Sequence, residues 1–437
     1  MSELDPRAII AREPMHFRQV IAIGIATALN ALDGFDVLSI SFAAPGIARD
    51  WGIDRAALGL VLSMELIGMG IGALILGAMA DRIGRRPTIL SCLVIMAAGM
   101  FLASTAQNVT ILSAYRLFTG LGIGGMLAAT NAIVAECSNA RRRNLAVAIM
   151  AGGYPVGAII GGSIASLLLA WTGRWQSVFE FGALITLCFI PLVLRLVPET
   201  IAFLLHKRPA NALERINRTM ERQGRAPLTE LSPPDPQVAG PGIAQLFNPD
   251  VRALTILLTL VYFGHMLSFY FFVKWIPKII VDMGFAAGAA GGVLVWANVG
   301  GMLGSLGISL LSQRFSVRRL VAIAMFGGAV AICVFGAWPR TLSELSTMAC
   351  IGGIFTNGAT AGLYAVIAQS FPARLSAGGT GLVIGVGRAG AALGPVLAGL
   401  LFTAGWSLGP VALMLACGTL IAGVILLMLN YRESAIA

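Results

Sequence analysis

Twelve long apolar runs, most of them separated by turns of a few residues, recur along the 437-residue chain, and they restrict its fold more than any other feature. A backbone surrounded by hydrocarbon must satisfy its own N–H and C=O groups, so a run of about 20 apolar residues is read as a spanning helix. The runs are too long for barrel strands and lack their alternation. They fall near 17–43, 56–80, 87–106, 109–135, 144–170 and 175–197, then near 250–274, 286–312, 318–338, 341–369, 377–403 and 409–430. The polar stretch between the two sets predicts three units: a six-helix bundle over 1–197, a linker over 198–249 and a second six-helix bundle over 250–437. The fold class expected is an all-α membrane protein of 12 transmembrane helices in two pseudo-repeats. Composition agrees, with only 11% charged residues against roughly 25% in soluble domains. That excludes a soluble enzyme, a disordered chain and, in spite of the net charge of +10, a nucleic-acid-binding domain.

Basic residues concentrate in alternate turns: DRIGRR (81–86), ARRRN (140–144), the central stretch, QRFSVRR (313–319) and PARLS (372–376). Arg49, Arg55, Arg174, Lys274, Lys278 and Arg340 fall in the other set, and Arg116 and Arg388 inside spans. By the positive-inside rule both termini are expected in the cytoplasm, in a multi-pass cytoplasmic (inner) membrane protein. Residues 1–19 show no small-residue cleavage site, so the first run reads as a retained span. The central stretch, with Lys207 to Arg225 and then Pro233, Pro234 and Pro236, predicts a short amphipathic helix followed by a flexible linker. The six cysteines have no paired spacing and read as small apolar residues; no metal site or cofactor is expected.

The halves also repeat. At an offset of 233, GGYPVGAIIGG (152–162) lies over GVGRAGAALGP (385–395), Arg141 over Arg374 and Glu65 over Asn298. Parallel six-span repeats build one large class of transporters, with the substrate site between the halves near the midplane. GAMADRIGRR (77–86) closely resembles the signature loop of the major facilitator superfamily, and RLFTGLGIGG (116–125) its fourth-span motif. In that loop Gly77 permits close helix approach, Asp81 can face a helix N-terminus of the other half, and Arg82, Arg85 and Arg86 can reach Glu136, together forming a conformational latch. A basic loop that only sets topology is the other reading. ALDGFD (31–36), the arginine-containing eleventh-span motif and the PET (198–200) ending of the sixth span together resemble the superfamily's aromatic acid:proton symporters. The resemblance implies a role for Asp33 and Asp36 in proton-coupled uptake and carboxylate recognition by Arg388.

The residues say compatible things by themselves. A charge at mid-membrane costs at least about 2.5–3.5 kcal/mol on insertion scales, so it is paired or lines a wet cavity. Arg388 stays charged and can anchor an anion bidentately. Asp33 and Asp36, three residues apart on one helix face, can exchange a proton, although a static bridge to Arg116 is the other reading. Glu65 can join proton transfer or be a satisfied polar residue. His265, Tyr262 and Phe269 in the aromatic seventh span, with Asn357, Tyr364 and Arg116, complete the candidate substrate set. The expectation is an alternating-access importer of a small aromatic carboxylate with protons, acting as a monomer in the bilayer. A proton-antiport exporter and, less favoured, a membrane ligand sensor stay open. A membrane enzyme lacks support, since no nucleophile–histidine motif is evident.

Overall fold

The structure is a computed structural model and describes residues 5–231, 243–337, 341–372 and 375–429. Pro233, Pro234 and Pro236 of the expected linker, and Arg340 and Arg374, lie outside the described residues. Among those described, 12 helices are long and apolar enough to cross a membrane. The first six are Phe17–Trp51, Arg55–Ile83, Arg85–Ser104, Val109–Cys137, Arg143–Thr172 and Gln176–Leu196. The second six are Pro249–Asp282, Ala287–Leu311, Val317–Ala337, Leu342–Ser370, Gly378–Thr403 and Leu408–Met428. Short helices Pro6–Arg12, Ile201–Lys207 and Ala212–Arg222 cover one end, where Ile10, Leu204, Ile216 and Met220 share a small apolar core. We call that end the loop face and the opposite end the far face.

Polar punctuation sets the helix ends. The Asp54 carboxylate accepts from Ala57 N at 2.8 Å and the Asn108 amide from Ile111 N at 2.9 Å, so each starts a span by satisfying an orphan N–H. Gly52 (φ 58°) and Gly173 (φ 64°) stop the first and fifth spans in the left-handed conformation open to glycine. Two spans run further than their apolar runs suggest. The first continues through Pro45 to Trp51, and the seventh through Pro277 to Asp282. The extra turn of the first is held by Trp175, whose indole donates to Asp50 at 3.0 Å and meets Trp51 edge-on at 5.4 Å. The longer seventh span corrects one reading: Lys274 is not a flanking residue at a membrane surface but is wholly buried within the helix.

The two repeats pack alike. The second span lies on the fourth as the eighth lies on the tenth, and the third on the sixth as the ninth on the twelfth. Close backbone approach makes both interfaces: a Cβ on Gly72 would strike Leu121, and one on Gly304 would strike Ile354. Between repeats, the second span packs on the eleventh and the fifth on the eighth. These contacts lie toward the far face. Arg55 pairs with Asp282 at 3.0 Å, Ala56 N donates to Thr403 Oγ1 at 2.9 Å, and Gly59 and Gly399 sit against backbone of the opposite repeat. The eleventh span is two helices, Ser376–Gly387 and Ala389–Thr403, meeting at Arg388. Its far-face half packs along the second span, whereas its loop-face half packs chiefly within its own repeat. Gly381 and Gly385 there have open space where a side chain would stand. The repeats therefore meet at the far face and part toward the loop face.

This geometry separates two glycines of the second span. Gly59→Val would push against the Pro395 carbonyl, and overpacking of this kind costs about 1–3 kcal/mol. It should lower the thermal unfolding midpoint of the detergent-solubilised protein by several degrees, whereas Gly70→Val, with no atom within 4 Å of the added Cβ, should leave it within a degree or so. Equal shifts in both would show that the far-face contact carries no stability.

Candidate functional site

The first span brings Asp33 and Asp36 to mid-membrane, with 2% and 0% exposure. Gly34 between them lies under the Tyr154 carbonyl, where a Cβ could not fit, so the glycine of ALDGFD lets the fifth span cross directly over the pair. Among the described residues, none of the four carboxylate oxygens has a hydrogen-bond partner. Their charged neighbours are each other, Glu65 of the second span and Arg116 of the fourth. Arg116 does not bridge the aspartates. It ion-pairs with Glu65, donates to the main-chain carbonyl of Asp36 at 3.0 Å, and lies 5.3 Å over the Phe179 ring. Glu65 is shared: its other oxygen takes the Lys274 ammonium of the seventh span at 3.3 Å, and that ammonium also donates to the Val37 carbonyl.

Arg388 stands apart from this network. It sits at the junction of the two helices of the eleventh span and is half-buried. The titratable groups that act on it are the phenols of Tyr262, Tyr364 and Tyr270. Among the described residues no acidic side chain lies within ion-pairing distance of it, whereas the other cations buried in the spans, Arg116 and Lys274, both have Glu65. Tyr262 Oη and Tyr364 Oη are 3.3 Å apart, and Tyr364 is 40% exposed while Tyr262 is buried. Tyr154 and Tyr270 extend the group toward Glu65 and Asp33. An arginine ringed by phenols offers one carboxylate a planar fork and a ring several aromatic faces and hydroxyl groups.

Other candidates lie elsewhere. His265 is saturated by its own repeat: Nδ1 to Thr419 Oγ1 at 2.8 Å, Nε2 to Thr360 Oγ1 at 3.0 Å and to the Thr356 carbonyl at 3.1 Å. Phe269 stacks on His265 and meets Tyr270 edge-on, so it forms wall behind the phenols. Asn357 packs its amide against Gly301. Sequence reasoning missed Tyr154, Tyr270 and Lys274. The tyrosines had a signal, each being a polar-tipped residue in a motif already noticed (GGYPVG and the aromatic seventh span). Lys274 was hidden by its position at the edge of an apolar run.

At the loop face, Gly84 (φ 111°) turns the chain between the second and third spans. Arg85 pairs with Glu136 at 3.0 Å and Asp81 at 3.1 Å, donates to the Ala80 carbonyl, and lies 5.5 Å over Phe203. Arg86 reaches the Leu194 carbonyl, Arg82 is exposed, and Gly77 faces Ala128 with room for a methyl group. The Asp81 side chain is 75% exposed and touches only its own repeat among these contacts. The PET segment belongs to the same assembly. Glu199 accepts from Arg85 N and Thr200 N, both at 3.0 Å, capping the third span, while the Thr200 hydroxyl accepts from Phe203 N and starts the next helix.

Comparisons agree with this architecture. The family model of the Major Facilitator Superfamily matches residues 26–308 and 258–436. The chain belongs to that superfamily; it is a transporter, not an enzyme, and a multi-pass inner-membrane protein. Among its relatives are a gallate transporter of Pseudomonas putida, 31% identical over 93% of this chain and 90% of the relative. Others are the 4-hydroxybenzoate transporter PcaK of Acinetobacter baylyi, 31% identical over 95% and 92%, and the 3-(3-hydroxy-phenyl)propionate transporter of Escherichia coli, 28% identical over 96% of each. It thus groups with the superfamily's aromatic acid transporters. In fold it matches the inward-open xylose transporter XylE of E. coli, with a TM-score of 0.71 at 16% identity over 95% of this chain and 97% of the other.

Glu199 gives a measurable pH dependence outside the membrane spans. Burial raises its pKa above the ordinary 4.5, in spite of its backbone hydrogen bonds. A carboxyl whose folded pKa is raised stabilises the fold while protonated, and that contribution fades as pH climbs through the raised value. Glu199→Gln should therefore flatten the fall in thermal stability as pH rises from 4.5 toward neutrality. An unchanged melting profile would mean that the carboxyl is solvated.

Proposed function

We propose that the chain imports a small aromatic carboxylate together with protons by alternating access. The bundles over 1–197 and 250–437 rock about the midplane site, joined by 198–249, with the loop face in the cytoplasm. The observation that carries this is Arg388, a guanidinium at mid-membrane that is flanked by phenols and, among the described residues, lacks a carboxylate partner. The names of the relatives support the substrate class. On this reading the present shape is inward-facing, and the exposed Asp81 and its arginine neighbours form the latch that closes the loop face in the opposite state.

Charge balance supports the coupling. The ionisable groups within the spans near the midplane are three acids, Asp33, Asp36 and Glu65, and three cations, the buried Arg116 and Lys274 and the half-buried Arg388. Empty and unprotonated, they sum to zero. A monoanion on Arg388 leaves one negative charge, and one proton on the aspartates restores neutrality. Each net charge moved against the membrane potential costs about 2.3 kcal/mol per 100 mV, besides the cost of desolvation. The neutral forms, empty or carrying both ligands, are the ones that cross readily, which favours one proton per monoanion.

Two outcomes test this in reconstituted vesicles. Arg388→Ala should weaken 4-hydroxybenzoate binding about 10- to 150-fold, the loss of a charge-assisted hydrogen bond worth about 1.5–3 kcal/mol. Retained affinity would remove the anchor. Asp33→Asn or Asp36→Asn should keep substrate exchange yet lose accumulation driven by a pH gradient; normal accumulation in both would reject the proton site.

A further inference from the structure

We propose that Lys274 is a movable counter-charge that competes with the coupling proton for the carboxylates of the first repeat, binding them when the far face is closed and leaving when it opens. The inference rests on the proton-coupled reading above and adds a residue and a sequence of events to it.

The geometry divides the bridge between the two moving bodies. Lys274 reaches out of the second repeat into the first, where its ammonium meets the Glu65 carboxylate at 3.3 Å and the carbonyl of Val37, next to Asp36 in the chain. Each partner is tied to its own side. Trp275, adjacent to Lys274, donates to the Pro395 carbonyl at 3.2 Å and packs on Phe402 with centroids 5.1 Å apart, all within the second repeat. Glu65 is held in the first repeat by Arg116. Lys274 lies about 12 Å below the far-face end of its helix, at 1.5 Å per residue, beneath the Arg55–Asp282 pair. Opening the far face must break that pair and draw the ammonium off Glu65.

The charges in reach fix the consequence. Lys274 faces Glu65 and Arg116; Asp33 and Asp36 face the same Glu65, with Arg116 near Asp36. Tyr154 of the fifth span and Cys92 of the third also face Asp33, and Tyr270 faces Glu65; phenols and thiols are ordinarily uncharged near neutral pH. With Lys274 docked, three carboxylates share two cations. With Lys274 withdrawn they share only Arg116, and the deficit is filled by a proton taken from water on the open side. When the far face closes, the returning ammonium restores the second cation and displaces that proton toward the loop face. The proton is captured on one side and evicted on the other, and the lysine's position decides which.

The test uses vesicles containing the full chain. A gradient of about one pH unit drives about tenfold accumulation at one proton per substrate. Lys274→Met should retain 4-hydroxybenzoate counterflow while accumulation falls from about tenfold to near unity, and its counterflow optimum should move to higher pH because nothing evicts the proton. Lys274→Arg, which keeps the charge, should accumulate like the parent. Parent-like accumulation and pH profile in Lys274→Met would overturn the proposal, as would an Arg variant as uncoupled as Met. A second measurement needs no change at Lys274. In Arg55→Cys/Asp282→Cys, a short bifunctional thiol reagent that holds the far face shut should release up to one proton per chain at mildly acidic pH; no release would overturn the exchange. If the parent itself shows no acid-driven uptake, the transport reading fails, and the proton count still judges Lys274.

Discussion

Glu65 is the point on which the interior depends. A carboxylate deep in a membrane protein is tolerable only when its charge is matched close by, and this one is matched twice, by Arg116 from its own repeat and by Lys274 from the other. The first match makes the second and fourth spans of the first repeat one rigid piece around a buried ion pair. The second fastens that piece to the seventh span. Low dielectric makes each attraction strong and also makes each unpaired charge expensive, so a helix movement that separates these groups must bring in water, a proton or another ion.

Two sets of polar groups thus share the midplane with different chemistry. Around Glu65 the charges are nearly balanced among protein side chains, and what is left over is one carboxylate's worth of negative charge on the aspartate pair. Around Arg388 the surplus is positive and the walls are phenols. On the proposed reading, a carrier built this way would handle a proton at one place and an anion at another. Tyr154 and Tyr270 connect the two, since both feel Arg388 on one side and Glu65 on the other. On the proposed reading, that second set would meet one carboxylate with the guanidinium and a ring with the tyrosines.

The loop-face motifs have a local use besides the proposed conformational one. Arg85 is the hub, reaching Asp81, Glu136 and the Ala80 carbonyl, while Glu199 of the PET segment caps the helix that Arg85 begins. A stretch that looks like a family signature is, in physical terms, a tight turn at Gly84 whose exposed backbone N–H groups are closed by an acid from the end of the sixth span. Asp81 and Arg82 are the exposed charged members left for the proposed contacts between repeats.

The sequence by itself determined the helix count, the doubling of the six-span unit and the identity of most buried charges, because hydrocarbon leaves the backbone a single local solution and makes an ionisable residue conspicuous in an apolar run. It located Asp33, Asp36, Glu65, Arg116 and Arg388 for that reason. It placed Lys274 at a surface because an apolar run ends beside it, whereas the helix goes on through Pro277 to Asp282. Which acid meets which cation was decided by tertiary structure alone: Arg116 takes Glu65 and only the backbone of Asp36, His265 turns to three threonines, and Arg388 is left to the tyrosines. Those choices depend on how deep each helix sits and how it is rotated against neighbours far away in the chain, and local periodicity carries neither quantity.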